Sequence, residues 1–270
     1  MVLRITIFIV AALLFMSHDY WFEARPFVLS AGEEAELHLW VGDDGHVELE
    51  RTLEKGMTPS FRMYHGEEVV DLLASGKEGD RPVAKVRLTE PGHYLVVMER
   101  DFAYISLTRQ EFLDYLKHEG IADDKRLLDH MGGREKQRER YARSVKALLY
   151  VRDGKGMPPT PSGPWRRVYG HPYEIVLLND PYALRGGGKL HVKVLRHGLP
   201  VAGKKVMAQH LPEEDFREIV AVSDREGSAT FDLPEGGMWL VRSLDLNPCH
   251  HCDTIDWESH WASFSFFVPL

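Results

Sequence analysis

The sequence predicts a mainly β protein built from two β-sandwich domains with a helical insertion between them. Short apolar stretches alternate with Gly, Pro, Asp and Asn, which is typical of sandwich strands rather than of alternating strands and helices. In addition, two sequence blocks recur in the same order in both halves of the chain, which indicates that one structural unit is present twice.

Composition narrows the class of protein. Of the 270 residues, 41 are Asp or Glu and 33 are Lys or Arg, so the net charge is −8 with His neutral. Such an acidic balance lacks the basic footprint of nucleic-acid binding, and we expect no nucleic-acid partner. Two Cys are too few for a disulfide-dense scaffold. The chain also contains 14 His, and their role has to be explained.

Residues 1–17 predict a signal peptide. Arg4 provides a positive start, and the uncharged run over residues 5–16 suits the core of an export signal. That run is shorter than the roughly 20 residues that a membrane-spanning helix needs. We expect cleavage after Ser17, with an uncleaved N-terminal anchor as the alternative because Phe15 is unfavourable near the cleavage point.

The first predicted domain covers residues 18–152 and the second covers residues 165–270. In the first, residues 84–97 form a strand, a Pro-Gly turn and a second strand, and residues 229–242 repeat this pattern in the second. The matched pairs include Leu88 with Leu233, Gly92 with Gly237, and Tyr94 with Trp239. A repeated unit of roughly 90 to 100 residues has the size of an immunoglobulin-like or transthyretin-like sandwich.

A helical insertion is predicted over residues 108–146. Thr108 and Glu111 have the spacing of a capping box at a helix start, and apolar residues follow at helical spacing. The charged segment from residue 134 predicts a second helix that gives way to a strand near residues 147–151. A linker follows over residues 153–164, which contain four Pro and three Gly.

Two segments offer metal ligands. Cleavage after Ser17 would leave His18 with a free α-amine and an imidazole, which both bind borderline metal ions; alternatively, His18 simply begins an edge strand. Before the last strand, Cys249, His250, His251 and Cys252 are consecutive. Thiolate and imidazole suit Zn, Cu and Ni, but four consecutive side chains can seldom all bind one ion. A disulfide between the two cysteines is the alternative.

Catalytic motifs are missing from the sequence. It contains no G-x-S-x-G, no H-E-x-x-H and no glycine loop ahead of a helix that would hold a phosphate. We therefore expect a protein that is not an enzyme.

Five motifs in order resemble a bacterial exported family that was classed as a domain of unknown function and is described as the periplasmic component of nickel/cobalt uptake systems. The motifs are H-D-Y-W-F-E, R-E-R-Y-A-R-S-V-K-A-L-L, G-H-P-Y-E-I-V-L-L-N-D-P, S-D-R-E-G-S-A-T-F-D-L-P-E-G-G-M-W-L-V-R and D-W-E-S-H-W-A-S-F-S-F. The resemblance covers nearly the whole mature chain. It implies a periplasmic protein that presents Ni²⁺ or Co²⁺ to a membrane metal transporter of the energy-coupling-factor type or to an outer-membrane receptor.

The N-terminal His of that family matches His18. Where family members carry H-M after the W-L-V-R strand, this chain has Asp245 and Leu246, so Cu and Zn stay open beside Ni and Co. The resulting hypothesis is a site anchored by His18. The other candidate ligands are Asp245, His250 and His251, with Cys249 and Cys252 as optional ligands and His260 in reserve. It requires the N-terminus to lie near the loop after Arg242.

Two alternatives stay open at this point. One is an immunoglobulin-like module that docks on a receptor or envelope partner, and the other is oxidative copper chemistry at an N-terminal His. The sequence does not indicate the oligomeric state.

Overall fold

The structure, a computed structural model, describes residues 19–154, 163–184, 186–211, 213–250 and 252–270. The predicted signal peptide, His18, His251 and most of the predicted linker lie outside these residues. Within the described part of the chain, none of the helices is both long enough and apolar enough to cross a membrane.

The first half of the chain contains nine strands and three helices among the described residues. The strands are β1 (Asp19–Arg25), β2 (Val28–Ser30), β3 (Glu34–Asp43), β4 (His46–Arg51), β5 (Ser60–His65), β6 (Glu68–Asp71), β7 (Ala84–Arg87), β8 (Gly92–Thr108) and β9 (Lys136–Arg152). The helices are α1 (Leu72–Ser75), α2 (Arg109–His118) and α3 (Lys125–Met131).

The second half is built from strands joined by loops and short 3-10 turns. The strands are β10 (Glu174–Leu177), β11 (Gly188–Arg196), β12 (Leu199–Pro200), β13 (Lys205–His210), β14 (Arg217–Val222), β15 (Ser228–Leu233), β16 (Gly237–Pro248) and β17 (Trp257–Val268). The predicted mainly β sandwich architecture is confirmed.

One large sheet runs through both halves. Its strand order is β14-β13-β16-β17-β9-β8-β5-β6, with β2 added on β9, and the two halves meet where β17 pairs with β9 in parallel. A first small sheet contains β1, β3, β4 and β7, and a second contains β10, β11, β12 and β15. The predicted division at residues 153–164 stays a prediction, but hydrogen bonds of the central sheet join the two sides of it.

The central sheet is packed on both faces at β8. Successive side chains of a strand point to opposite faces. Val96 and Met98 accordingly pack in the core beneath the first small sheet, whereas Leu95 and Val97 pack in the core beneath the second. This double burial explains the continuous apolar run in β8, because a strand covered on one face alone would alternate apolar with polar residues.

The repeated hairpins occupy matching places in the two halves. In the first, β7 pairs with β3 of a small sheet and β8 joins the central sheet; in the second, β15 pairs with β11 and β16 joins the central sheet. The two sequence blocks therefore encode the same crossing between two layers.

Helix α2 begins at the predicted capping box. The Thr108 hydroxyl accepts a hydrogen bond from the Glu111 N–H at 3.2 Å, and the Glu111 carboxylate accepts one from the Thr108 N–H at 2.6 Å. The buried face of α2 packs on β17, where the rings of Phe112 and Trp257 stack with centres 4.8 Å apart.

The helix predicted from residue 134 is wrong, and so is the extent 108–146 of the helical insertion, because residues 136–152 form strand β9. At the start of this strand Lys136, Arg138 and Arg140 are at least partly exposed, whereas the residues between them are buried, which is the alternation of a strand. Arg138 pairs with Asp256, in the loop before β17, at 3.0 Å, and Arg140 pairs with Glu258 of β17. Glu139, which lies between the two arginines, is buried. Partners from β17 and the preceding loop therefore stabilise an extended segment whose composition alone is typical of a helix.

Candidate metal centre

A cluster of charged side chains lies at the start of β1, and we name it the β1 cluster: Asp19, Asp43, His118, Glu119 and Arg242. The pairing of β1 with β3 sets Asp19 opposite Gly42, next to Asp43 at the end of β3. His118 is the last residue of α2, and Glu119 is its C-cap. Residues from two strands and one helix end thus meet around the Arg242 side chain of β16.

Arg242 joins two buried carboxylates. Its Nε lies 2.9 Å from Asp19 Oδ2, and one of its terminal nitrogens donates to Glu119 Oε2 at 2.7 Å. Asp19, Glu119 and Arg242 are at most 4% exposed. Burial raises the pKa of Asp19 to about 7 and raises the pKa of Glu119, although Arg242 opposes both shifts. The cluster therefore favours additional positive charge.

Three atoms of the cluster that could bind a metal ion lie close together. His118 Nε2 lies 3.0 Å from Asp43 Oδ1 and 3.9 Å from Glu119 Oε1. All three atoms are buried; His118 Nε2 and Asp43 Oδ1 pair with each other, whereas Glu119 Oε1 has no hydrogen bond within the described residues. Buried polar atoms are normally satisfied, so the Glu119 oxygen has unused capacity to bind a cation. Asp44 adds a carboxylate, since one ligand atom each of Asp43, Asp44 and His118 lies within 4.8 Å of the others.

The His118 imidazole is held next to negative charge. The Asp43 carboxylate raises the pKa of His118 to about 9, against the opposing effect of burial, and Glu119 contributes in the same direction. The protonated imidazole is therefore the resting form near neutral pH. A metal ion that binds Nε2 has to displace that proton, so its affinity should rise with pH.

We expect the Asp43–His118 pair to make stability pH-dependent. A His whose folded pKa is raised stabilises the fold fully below its unfolded value of about 6.5, and this contribution is lost as pH rises through about 9. His118→Gln should therefore lower the free energy of unfolding below pH 6.5 and change it little above pH 9. Urea unfolding across this range measures the difference, and a gap that does not narrow with pH would contradict the assignment.

Asp245 does not reach the β1 cluster. It follows Arg242 by three residues on β16, so its side chain lies on the opposite face of the sheet. There it pairs with Lys204, and with Arg196 at 3.3 Å, and it is 1% exposed. These cations lower the pKa of Asp245 although burial alone would raise it. Among the described residues Asp245 is thus a buried ion-pair partner, and its predicted role as a ligand beside His18 stays a prediction.

The predicted cysteine and histidine ligands lie at the far end of β16. Six residues separate Arg242 from Pro248, which corresponds to about 20 Å of extended chain. Cys249 and Cys252 form a disulfide with each other, so in this state neither sulfur is a thiolate ligand. His250 is exposed and close to the ring of His130. The single site predicted from sequence is thus divided between two places.

The remaining predicted ligands are His260, which the structure describes, and His18 and His251, which it does not. His260 lies on β17 with Nε2 3.2 Å from Glu258 Oε1, and burial lowers its pKa. His18 and His251 lie outside the described residues. In the sequence, His18 is joined directly to Asp19, so the predicted N-terminal anchor immediately precedes the β1 cluster.

Sequence reasoning missed all five residues of the β1 cluster: Asp19, Asp43, His118, Glu119 and Arg242. Signals for them were present, because Asp43 begins an Asp-Asp-Gly turn after a predicted strand and His118 ends a predicted helix. Neither signal shows that the two elements meet, since 75 residues separate them. Their contact depends on the docking of α2.

A second group of possible ligands is less suitable. His210, Asp215 and Glu235 lie close together, but Arg217 pairs with Asp215 at 3.0 Å and with Glu235 at 2.8 Å. Both ring nitrogens of His210 lie 3.2 Å from backbone carbonyls. This group already has its countercharge and hydrogen-bond partners.

Comparisons with known proteins give one family and several distant structures. A family model described as a domain of unknown function (DUF4198) matches residues 15–245. No curated protein matches the chain. Among solved structures, a tetra-tandem repeat from the extending region of a large adhesion protein has a TM-score of 0.24 at 8% identity, covering 94% of this chain and 50% of the other.

Two further structures have similar scores. Fibronectin(III)-like modules of Clostridium thermocellum CbhA give a TM-score of 0.22 at 10% identity, covering 92% of this chain and 94% of theirs. The chicken interferon gamma receptor alpha chain gives 0.21 at 10% identity, covering 94% of this chain and all of its own. At these scores the similarity supports no argument about function.

Proposed function

The chain belongs to the DUF4198 family of domains of unknown function, and we propose that it is an exported, non-enzymatic protein that binds nickel or cobalt and assists metal uptake. In this proposal the protein works in the periplasm and delivers its ion to a membrane transporter or an outer-membrane receptor. The family resemblance suggests the cargo and the partner, and the β1 cluster suggests the binding site.

The observation that carries the proposal is the meeting of His118, Asp43 and Asp44 beside the orphaned Glu119 oxygen. Two ligand atoms at right angles on an ion about 2.1 Å away lie about 3.0 Å apart. The distance between His118 Nε2 and Asp43 Oδ1 is 3.0 Å. Imidazole with carboxylate suits borderline divalent ions, and the α-amine and imidazole of a mature His18 would add two nitrogens.

The experiment is calorimetric titration of Ni²⁺, Co²⁺, Cu²⁺ and Zn²⁺ into the chain that begins at His18. We expect Ni²⁺ or Co²⁺ to bind at one site, and His118→Ala or Asp43→Asn to weaken binding at least tenfold, which corresponds to about 1.4 kcal/mol. One extra residue before His18 should also weaken binding, because it removes the α-amine from the ligand position.

His191→Ala is the matched control. His191 is an exposed histidine of β11, a strand of the second small sheet, and its Nδ1 lies 2.9 Å from the Thr230 hydroxyl. It should leave the affinity unchanged. Equal affinities for the wild type and His118→Ala would overturn the proposal, as would the absence of binding by all four ions, which would leave the docking module as the remaining hypothesis.

A further inference from the structure

The loop between β16 and β17 is held firmly at its base. The Cys249 N–H donates to the Asp256 carbonyl at 2.9 Å, and the Asp256 N–H donates to the Arg138 carbonyl at 2.7 Å. The Asp256 carboxylate accepts from the Arg138 N–H at 2.9 Å and from its side chain. These bonds attach the loop to β9, so the sheet defines the position of Cys249.

Helix α3 brings His130 beside this loop. The ring centres of His130 and His250 are 5.4 Å apart with planes at 80°, and His130 also contacts the Trp257 ring at 4.7 Å. Leu127 and Met131 of the same helix are buried in the core that contains Trp257. Packing of α3 therefore sets the position of His130.

The proton of His130 is placed by a hydrogen bond. Its Nε2 lies 3.0 Å from the Asp256 carbonyl oxygen, which can only accept. Nε2 therefore carries the hydrogen, and Nδ1 keeps its lone pair. A histidine that donates one N–H to a carbonyl and offers the other nitrogen is arranged as metal-binding histidines are.

The histidine spacing fits a shared ion. Two imidazoles bound through nitrogen at about 2.1 Å to one tetrahedral ion have ring centres about 5 Å apart, close to the 5.4 Å between His130 and His250. Cys249 and Cys252 have the C-x-x-C spacing of structural zinc sites, with their Cα atoms 5.7 Å apart. In the disulfide, however, the sulfurs carry no charge for a cation.

We propose that reduction of the Cys249–Cys252 disulfide creates a second metal site, formed by the two sulfurs, His130 Nδ1 and the His250 ring, for a tetrahedral ion of the Zn²⁺ type. A dithiol supplies two electrons and two protons, becomes a cyclic disulfide and leaves both cysteines as thiols. The ion then binds the two thiolates and releases their protons. The site therefore binds an ion only when the two cysteines are reduced. It shares no residue with the β1 cluster.

The test uses the full mature chain with Co²⁺ as the probe. One sample is reduced with dithiothreitol and desalted without oxygen, and the other stays oxidised. We expect thiolate-to-cobalt charge-transfer absorption and strong tetrahedral visible bands in the reduced sample only. Competition with a chromophoric chelator should show that His130→Ala weakens Zn²⁺ binding at least tenfold in the reduced protein.

Three variants distinguish the possible failures. Cys252→Ser should abolish the charge-transfer band. His130→Gln keeps the size and polarity of the side chain and should weaken Zn²⁺ binding like His130→Ala, with an unchanged circular dichroism spectrum showing that it folds. His118→Ala should leave the band intact, which separates this site from the β1 cluster. A reduced protein without the band, or a folded His130→Gln with unchanged Zn²⁺ affinity, would overturn the proposal.

Discussion

Glu174→Gln is expected to lower the free energy of unfolding by about 3–5 kcal/mol, the usual cost of leaving a buried charge without its partner. Lys146 Nζ donates to Glu174 Oε2 at 2.7 Å, and these side chains are 1% and 0% exposed. Burial lowers the pKa of Lys146, and the Glu174 carboxylate counteracts that shift. Without the carboxylate, Lys146 must either remain charged in the core or release its proton.

The reason for the size of this effect can be checked with a double variant. Gln retains an oxygen that can accept from the N–H groups of Tyr169 and Gly170, as Glu174 does at 2.7–3.2 Å. The substitution therefore removes the charge and replaces the oxygen that accepts from Lys146 by an amide NH₂, which can only donate. In the double variant Lys146→Met with Glu174→Gln, neither side chain of this pair is charged. It should therefore lower the free energy of unfolding less than Glu174→Gln alone. Urea unfolding measures each value, and a single variant within about 1 kcal/mol of the wild type would contradict the argument.

Arg242→Met is the second large effect, with an expected loss of about 3–5 kcal/mol. It leaves the Asp19 and Glu119 carboxyl groups buried without their shared cation. Their pKa values, already raised by burial, should rise further. Because a raised carboxyl pKa costs stability only once pH exceeds the unfolded value of about 3.8 for Asp, the loss should grow from acidic to neutral pH.

Arg217→Met is the control for this prediction. Arg217 also joins two carboxylates, those of Asp215 and Glu235, but its side chain is 51% exposed. An exposed pair contributes about 0–1 kcal/mol, so this variant should unfold near the wild type at every pH. If Arg242→Met lowered the free energy of unfolding no more than Arg217→Met, the argument that burial makes the Arg242 ion pairs important for stability would be wrong.

Local patterns in the sequence predicted a large part of the fold. The capping box at Thr108 predicted the start of α2, since it depends on residues three apart in the chain. Alternation predicted β3, and the repeated hairpin predicted equivalent strands at residues 84–97 and 229–242. Segment 136–146 was predicted incorrectly because its charges have partners in the loop before β17 and in β17 itself, more than 100 residues away.

At the candidate sites, too, ligands that are close in the sequence could be predicted and ligands that are distant in the sequence could not. The C-H-H-C segment was visible in the sequence because its ligands are consecutive. His130 lies 120 residues before His250, so the sequence did not indicate that the two histidines are neighbours in the fold. Asp245 was grouped with His18 because it stands where the resembled family carries H-M after the W-L-V-R strand, whereas strand alternation places its side chain on the face of the sheet opposite Arg242.

By itself, the sequence determined the chemistry available to this protein: an acidic chain with few cysteines, many histidines, a repeated β unit and a helix start at Thr108. Only the tertiary structure decided which side chains meet. Strand register, the face on which each residue lies and the docking of α2 and α3 arise from burial of apolar surface between distant segments. For that reason His118 joins Asp43, His130 joins His250, and Asp245 joins neither group.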